Sequence, residues 1–243
     1  MFLGIGFSQT IEADCNGVWG GNAPFDSFGN CVDYNIPDIN LTNDDIPDFP
    51  SDREGEVIHI PDDYPTIQEG IDASVDGDSV LVSAGTYYEN LIIDNKAIVL
   101  FGEGSENTII NGSQNGSVIH ISSSFVHIDG FTVMNGSGNI TIDGADILAH
   151  SGGMYVISSN LTLSNILIKE NIIGGTDYSY GWGAGIYINN TEFEFSNIII
   201  RDNLLSFSYS SSSGGGVYLL FSDGTIINST IENNNVNQGE NNP

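Results

Sequence analysis

Apolar and polar residues in this chain alternate on a short period that itself returns at a longer one. In SGGMYVISSNLTLSNILIKEN (residues 151–171) two apolar bursts lead to Lys-Glu-Asn. GAGIYINNTEFEFSNIIIRDN (183–203) and GGGVYLLFSDGTIINSTIENN (214–234) align with it without gaps. Gly153, Gly185 and Gly216 coincide at intervals of 32 and 31 residues, as do Asn165, Asn197 and Asn228, and Asn171, Asn203 and Asn234. Apolar columns run through Met154/Ile186/Val217, Val156/Ile188/Leu219, Leu163/Phe195/Ile226 and Ile168/Ile200/Ile231. An earlier copy, SVIHISSSFVHIDGFTVMN (117–135), adds Ile119, Ile121, Ile128 and Val133 to these columns. A fixed period above about 20 residues marks a solenoid, propeller or array. Each repeat holds short strands and no run of helical length, which fits one rung of a parallel β-helix. In such an all-β solenoid equivalent residues stack about 4.8 Å apart, apolar positions face inward and corner asparagines form amide ladders.

Upstream, residues 57–60 read as a strand, and TIQE at 66–69 is a capping box. The Thr66 hydroxyl serves one free N–H of a helix start, and Glu69 is placed to reach back to another. Ile67, Ile71 and Val75 follow at helical spacing, so a short amphipathic helix over 66–75 is expected to cover the open first rung. β-rich bursts punctuated by Gly, Asn, Asp and Ser follow at 79–82, 91–93, 97–100, 108–110, 117–121, 125–128 and 131–133.

The stretch YPTIQEGID…GDSVLVSAGTYYENLII…LFGEG within 57–104, and IDGFTVMNG at 128–136, resemble the N-terminal cap and first coils of the right-handed parallel β-helix, pectin lyase-like superfamily. The later GG-[IV]Y…N repeats resemble those of bacterial secreted and surface β-helix proteins. The resemblance covers 57–243 and implies a fold, not an activity, because many functions use it. The chain stops at NQGENNP with no capping helix or sorting segment, so a β-helix cut short at its C-terminus is expected.

Residues 1–56 have a different character. MFLGIGFSQ looks like a secretory-signal remnant (1–12), although it lacks a basic start, and an ordinary N-terminus is the alternative. Residues 13–34 resemble the short acidic Cys/Gly modules near the start of secreted bacterial surface proteins, with Phe28 standing where that pattern has its middle cysteine. Cys15 and Cys31 are an even pair that suggests one disulfide, with two free thiols as the other reading. Calcium suits the oxygen ligands of Asp14, Asn16, Asp26, Asn30 and Asp33, and a calcium-free disulfide loop is the alternative. Residues 35–56, rich in Asp and turn-forming Pro, read as a linker.

Charge narrows the partners. Four Lys and Arg face 32 acids, a formal net charge of −28 over 243 residues. That field repels nucleic acid, and it repels an acidic polysaccharide unless cations bridge the two. No apolar run has the length of a membrane span. The signal-like start and the resemblance to secreted proteins lead us to expect a secreted or cell-surface monomer, with no cofactor required beyond the calcium considered above.

Enzymes of the resembling superfamily carry local motifs. The N-T-D, G-H-G and R-x-K motifs of polygalacturonase-like hydrolases are absent, since AHSG at 149–152 is not G-H-G. Pectinesterase-like enzymes need two Asp, an Arg and Gln residues on neighbouring rungs, and only GFTV resembles them. A calcium-dependent lyase would use acids and a basic residue, for which Arg201 beside Glu170 and Asp202 is the candidate. An exposed ladder of alternating charges explains the same residues without chemistry. His120, His127 and His150 are scattered, and no nucleophile–base pair is readable.

Binding has a clearer pattern. His120, Tyr155, Tyr187 and Tyr218 share a column between two apolar ones, so alternation points them outward. Insertions at 172–182 and 204–214 fall at one place in the rung and bring Tyr178, Tyr180, Trp182 and Tyr209 beside that column. Tyr, Ser and Gly make adaptable contact surfaces. Solvated loops beside an ordinary sheet surface are the alternative. The sequence thus favours a non-catalytic module presenting an extended face to a polysaccharide or cell-surface glycan. A carbohydrate-active enzyme (a calcium-dependent lyase or pectinesterase-like) and a structural spacer are the other readings.

Overall fold

The computed structural model describes residues 55–143, 146–175, 179–207 and 212–238. The chain divides into two compact units, Met1–Arg53 and Glu54–Pro243, and all the described residues lie in the second. That unit is a parallel β-solenoid built on three long sheets. Sheet A has seven strands: Val57–Ile60, Ser79–Val82, Ala97–Gly102, Phe125–Asp129, Asn160–Ser164, Glu192–Ser196 and Asp223–Ile227. Sheet B has five: Leu91–Asp94, Ile119–Ser122, Met154–Ile157, Ile186–Asn189 and Val217–Leu220. Sheet C has six: Gly85–Tyr87, Thr108–Asn111, Thr132–Met134, Leu167–Lys169, Ile199–Arg201 and Thr230–Glu232.

The registers are those the repeats require. Val156 pairs with Ile121 and Ile188, Leu163 with Ile128 and Phe195, and Ile168 with Val133 and Ile200. Their side chains form one continuous apolar core along the solenoid. Alternation leaves the intervening residues outside.

Three devices turn the corners. After sheet A, Asn165, Asn197 and Asn228 adopt φ of 53°, 54° and 49°. Asparagine tolerates this left-handed region better than most residues, so this column is a backbone device. Its amides touch only at 3.5 Å, from Asn197 Nδ2 to Asn165 Oδ1. The amide ladder expected at the corners lies in the second asparagine column. Asn171 Nδ2 donates to Asn203 Oδ1, and Asn203 Nδ2 to Asn234 Oδ1, both at 2.9 Å. The same oxygens accept from the Asn171 and Asn203 backbone N–H groups at 3.1 Å. The amide nitrogens of Asn203 and Asn234 also donate to the Ile168 and Ile200 carbonyls. A third ladder, not read from sequence, runs between sheets B and A through Ser124, Ser159, Thr191 and Ser222. Each hydroxyl from Ser159 onward accepts the N–H of the rung before it (3.1, 3.3 and 3.2 Å) and donates to the carbonyl two residues back in its own rung.

Helix Ile67–Ala73 lies against the first strands of sheets A and B. Thr66 accepts from Glu69 N as the capping box requires, at 3.2 Å. The second half of the cap is supplied by Glu89, whose carboxylate accepts from both Ile67 N and Gln68 N at 3.0 Å. A distant acid can do this because the first coil returns beneath the helix start, where negative charge is favoured. Val75 lies past the helix and is 45% exposed, so only Ile67 and Ile71 face the core. Gln68 spans the free edge of sheet B, accepting from Ile92 N at 2.7 Å and donating to Ile92 O at 3.0 Å. An otherwise open strand edge is closed by one side chain. At the far end the repeat columns run out into solvent: Ile231, over Ile200, is 49% exposed, while Ile200 is fully buried.

Two variants test this frame. Asn203→Ala removes an oxygen and a nitrogen that satisfy the Asn171 N–H and the Ile168 carbonyl. Two buried groups left unpaired predict a loss of about 2–5 kcal/mol in chemical denaturation. Ile200→Asp places an unpartnered charge in the core and costs several kcal/mol, spreading to neighbouring rungs as a broadened unfolding transition.

Candidate functional site

The site grows from the corner held by the asparagine ladder. Directly after Asn171 and Asn203 the chain leaves the solenoid as strands Ile172–Gly175 and Leu204–Phe207, which pair in parallel, with Asn235–Gln238 added beyond the second. A second small sheet lies nearby. Strand Asn139–Asp143 turns back antiparallel onto Asp146–His150, which pairs in parallel with Ser179–Trp182. The insertions expected as loops are thus partly strands. Their register does make them neighbours, as Ile172↔Leu204 and the Trp182↔Ser213 bridge show. The strands are ordered by a second core of Ala149, Ile173, Ala184, Leu205 and Phe207. Gly181 is required there, because a Cβ would overlap the Phe207 ring.

Alternation along this sheet gives it two faces. Ala149 and Gly181 meet the second core, while His150, Tyr180 and Trp182 point the other way, onto the outer face of sheet B. There the expected column is in register, His120 to Tyr155 to Tyr187 to Tyr218. His150 lies 5.0 Å from the Tyr187 ring centroid, 5.4 Å from Tyr155 and 5.2 Å from Trp182. Trp182 is 6.3 Å from Tyr218 and nearly parallel to Tyr180 at 6.0 Å. These aromatic rings therefore form one continuous cluster between the column and the added sheet. His150, which the sequence left scattered, is its centre.

This geometry corrects the picture of an open aromatic platform. Tyr155 and Tyr187 stack at 5.3 Å and 26°, and Tyr187 and Tyr218 at 5.7 Å and 10°. Their ring faces are largely spent on one another. Tyr187 points outward as expected but is only 5% exposed, because the added sheet covers it. The hydroxyls of Tyr155, Tyr187 and Tyr218 make no hydrogen bond among the described residues and are not among the buried atoms without a partner, so they reach solvent. Tyr155, Tyr180, Trp182 and Tyr218 are half-buried.

Burial governs the protonation of the cluster. It pushes the His150 imidazole below its ordinary value, and does the same to His120 against an opposing pull from Asp94. His150 Nδ1 and His120 Nε2 are buried with no hydrogen-bond partner. Burial raises the Tyr155 phenol and, together with its two tyrosine neighbours, that of Tyr187.

The lyase candidates lie elsewhere, at the end of the sheet C strands. Arg201 donates to Asp202, and Lys169 Nζ lies 3.2 Å from Glu170. Each cation is taken by the acid next to it in sequence, rather than Arg201 facing Glu170. Glu170 and Asp202 sit at φ of 56° and 58°, at the corner itself. Sheet A brings together one group that sequence reasoning missed. His127 Nε2 is 3.0 Å from Ser164 Oγ, and Ser164 donates to Asp129. His127 and Ser164 are 37 residues apart in the chain and become neighbours only through register. The Asp129 carboxylate is hydrogen-bonded by the serine and acts on the imidazole through its charge alone, so it does not orient the ring as a catalytic triad does. Among the described residues no group of three or more His, Cys, Asp or Glu is placed to hold a metal ion. Asp14, Cys15, Asn16, Asp26, Asn30, Cys31, Asp33, Tyr178 and Tyr209 lie outside the described residues.

No family model matches this chain, and no curated protein matches it. Solved structures do. A pectin methylesterase of rice weevil is 13% identical with a TM-score of 0.36, over 76% of this chain and 67% of that one. One from carrot is 15% identical with a TM-score of 0.36, over 78% and 84%. One from Aspergillus niger is 16% identical with a TM-score of 0.33, over 79% and 88%. The solenoid fold of this chain follows from its own strand registers. No helix among the described residues is long and apolar enough to cross a membrane.

The cluster has measurable consequences. His120 and His150 titrate below the unfolded value of about 6.5, so the unfolded chain binds more protons below that pH. Their contribution to stability is full above about pH 6.5 and falls as the pH drops toward their folded values. His150→Phe keeps the ring, removes the titration and should flatten the decline in denaturation midpoint between about pH 7 and about pH 5.5. Tyr187→Ala empties a buried position and should cost about 3 kcal/mol or more, whereas Tyr187→Phe should stay within about 1 kcal/mol.

Proposed function

We propose that this protein is a secreted or cell-surface β-solenoid module that holds a glycan at the aromatic junction and does not turn it over. The observation that carries this reading is the continuous aromatic cluster whose edge keeps Tyr180, Trp182 and Tyr218 partly in solvent beside a row of unpartnered tyrosine hydroxyls. Partly exposed rings take the apolar C–H faces of a pyranose, and fixed phenols exchange hydrogen bonds with its hydroxyls. The rings are held by their neighbours in the cluster, so little side-chain entropy is lost when a ligand binds. Arg201 and its acids stand at a sheet C corner and are paired with each other.

Glycan-array screening followed by titration tests the proposal. Removing a partly exposed ring forfeits about 1–3 kcal/mol of apolar contact. Trp182→Ala is therefore expected to weaken binding about tenfold or more, and Arg201→Ala to leave it unchanged. Elimination and ester-hydrolysis assays on the same glycan should show no turnover. Turnover in the parent that disappears in Arg201→Ala would replace this reading with the lyase. Absence of any glycan binding would leave a structural spacer.

A further inference from the structure

Resting on that reading, we infer that the ligand is an uncharged, straight polysaccharide aligned with the solenoid axis, one sugar residue to each rung. Charge supplies the first argument. The described cations are Lys96, Lys169 and Arg201. Lys96 Nζ donates to the Ser74 carbonyl at 2.6 Å, beside the end of the capping helix. Lys169 and Arg201 are paired with Glu170 and Asp202 on sheet C. None belongs to the aromatic cluster. Among the described residues, the Asp94 carboxylate acts on His120 and is hydrogen-bonded by Ser122. Burial holds both histidines of the cluster toward the neutral form, so they supply no counter-charge at neutral pH. A polyuronate would meet no described cation at this surface, the Asp94 carboxylate, and the field of a chain with net charge −28.

Geometry supplies the second argument. The phenols of Tyr155, Tyr187 and Tyr218 recur at ring spacings of 5.3 and 5.7 Å in a straight column, because each is fixed to its own rung. A 1→4-linked polysaccharide whose two bridging bonds are both equatorial is a straight ribbon that advances by about one such spacing per sugar, so successive residues meet successive phenols. A 1→4-linked glucan with one axial and one equatorial bond curls away after one contact. The His150 and Trp182 side of the cluster covers the rings of the column and leaves its hydroxyl edge to the ribbon.

The test uses the full chain and polymers of one backbone that differ only in charge. Affinity electrophoresis on hydroxyethyl cellulose should retard the protein, and carboxymethyl cellulose of equal length should retard it about tenfold less at low salt, the gap narrowing as salt rises. In calorimetry, affinity should climb from cellotriose to cellohexaose, and maltohexaose should bind more weakly than cellohexaose. Tyr155→Phe, which deletes one phenol and keeps the stack, should lower affinity for the hexamer several-fold with an unchanged denaturation midpoint. Carboxymethyl cellulose binding as tightly as the neutral polymer, or maltohexaose matching cellohexaose, overturns this inference. If that charged or curled ligand still depends on Trp182, the glycan-binding reading survives. Failure of every glycan to bind sinks both.

Discussion

The buried amide ladder of Asn171, Asn203 and Asn234 is the interaction on which the rest of the described structure depends. It closes the corner after sheet C, where backbone N–H and carbonyl groups would otherwise be buried without partners. It also fixes the point from which the added strands depart. If Ile172 and Leu204 left the solenoid at different angles, their strands would not pair. The second core of Ile173, Leu205 and Phe207 would then not form. Without that core nothing would hold Ser179–Trp182 against sheet B, and Tyr187 would lie open. The aromatic cluster is thus a consequence of a corner that lies one sheet away in space.

Repetition lets one solution serve every rung. The ladder of Ser159, Thr191 and Ser222 hydroxyls does at the sheet B corner what the amides do after sheet C, with a different side chain. The left-handed asparagines after sheet A solve a problem of backbone angle with a third. Because the amide and hydroxyl ladders are satisfied by the equivalent residue one rung away, the described solenoid closes its corners without ion pairs and can carry a strongly acidic surface. The N-terminal rung has no such neighbour, and there single side chains take over: Gln68 pairs with the edge of sheet B, Glu89 caps the helix, and Lys96 binds carbonyls at its end.

The histidines and tyrosines of the cluster serve stability at the same place where binding is proposed. Stacking makes Tyr187 a core residue on the outside of the solenoid and leaves only phenol oxygens and the outermost rings in solvent. The packing that buries His150 lowers its pKa, so it adds no cation to this surface at neutral pH, and this is the surface for which an uncharged ligand is proposed.

By itself the sequence determined the solenoid, its register, its inward columns and the shared column of His120, Tyr155, Tyr187 and Tyr218. Neighbours in a repeat lie a near-constant number of residues apart, so spatial contact is written as periodicity. It also located the insertions that meet that column. Tertiary structure alone decided that these insertions become strands, that His150 stands at the centre of the rings, and that Tyr187 is covered. It likewise decided that Glu89 completes the helix cap and that His127 meets Ser164. Those contacts join residues across unequal separations, through a corner whose exit direction no local pattern encodes. Ring orientation, too, is set by how a face is packed rather than by which face a residue occupies.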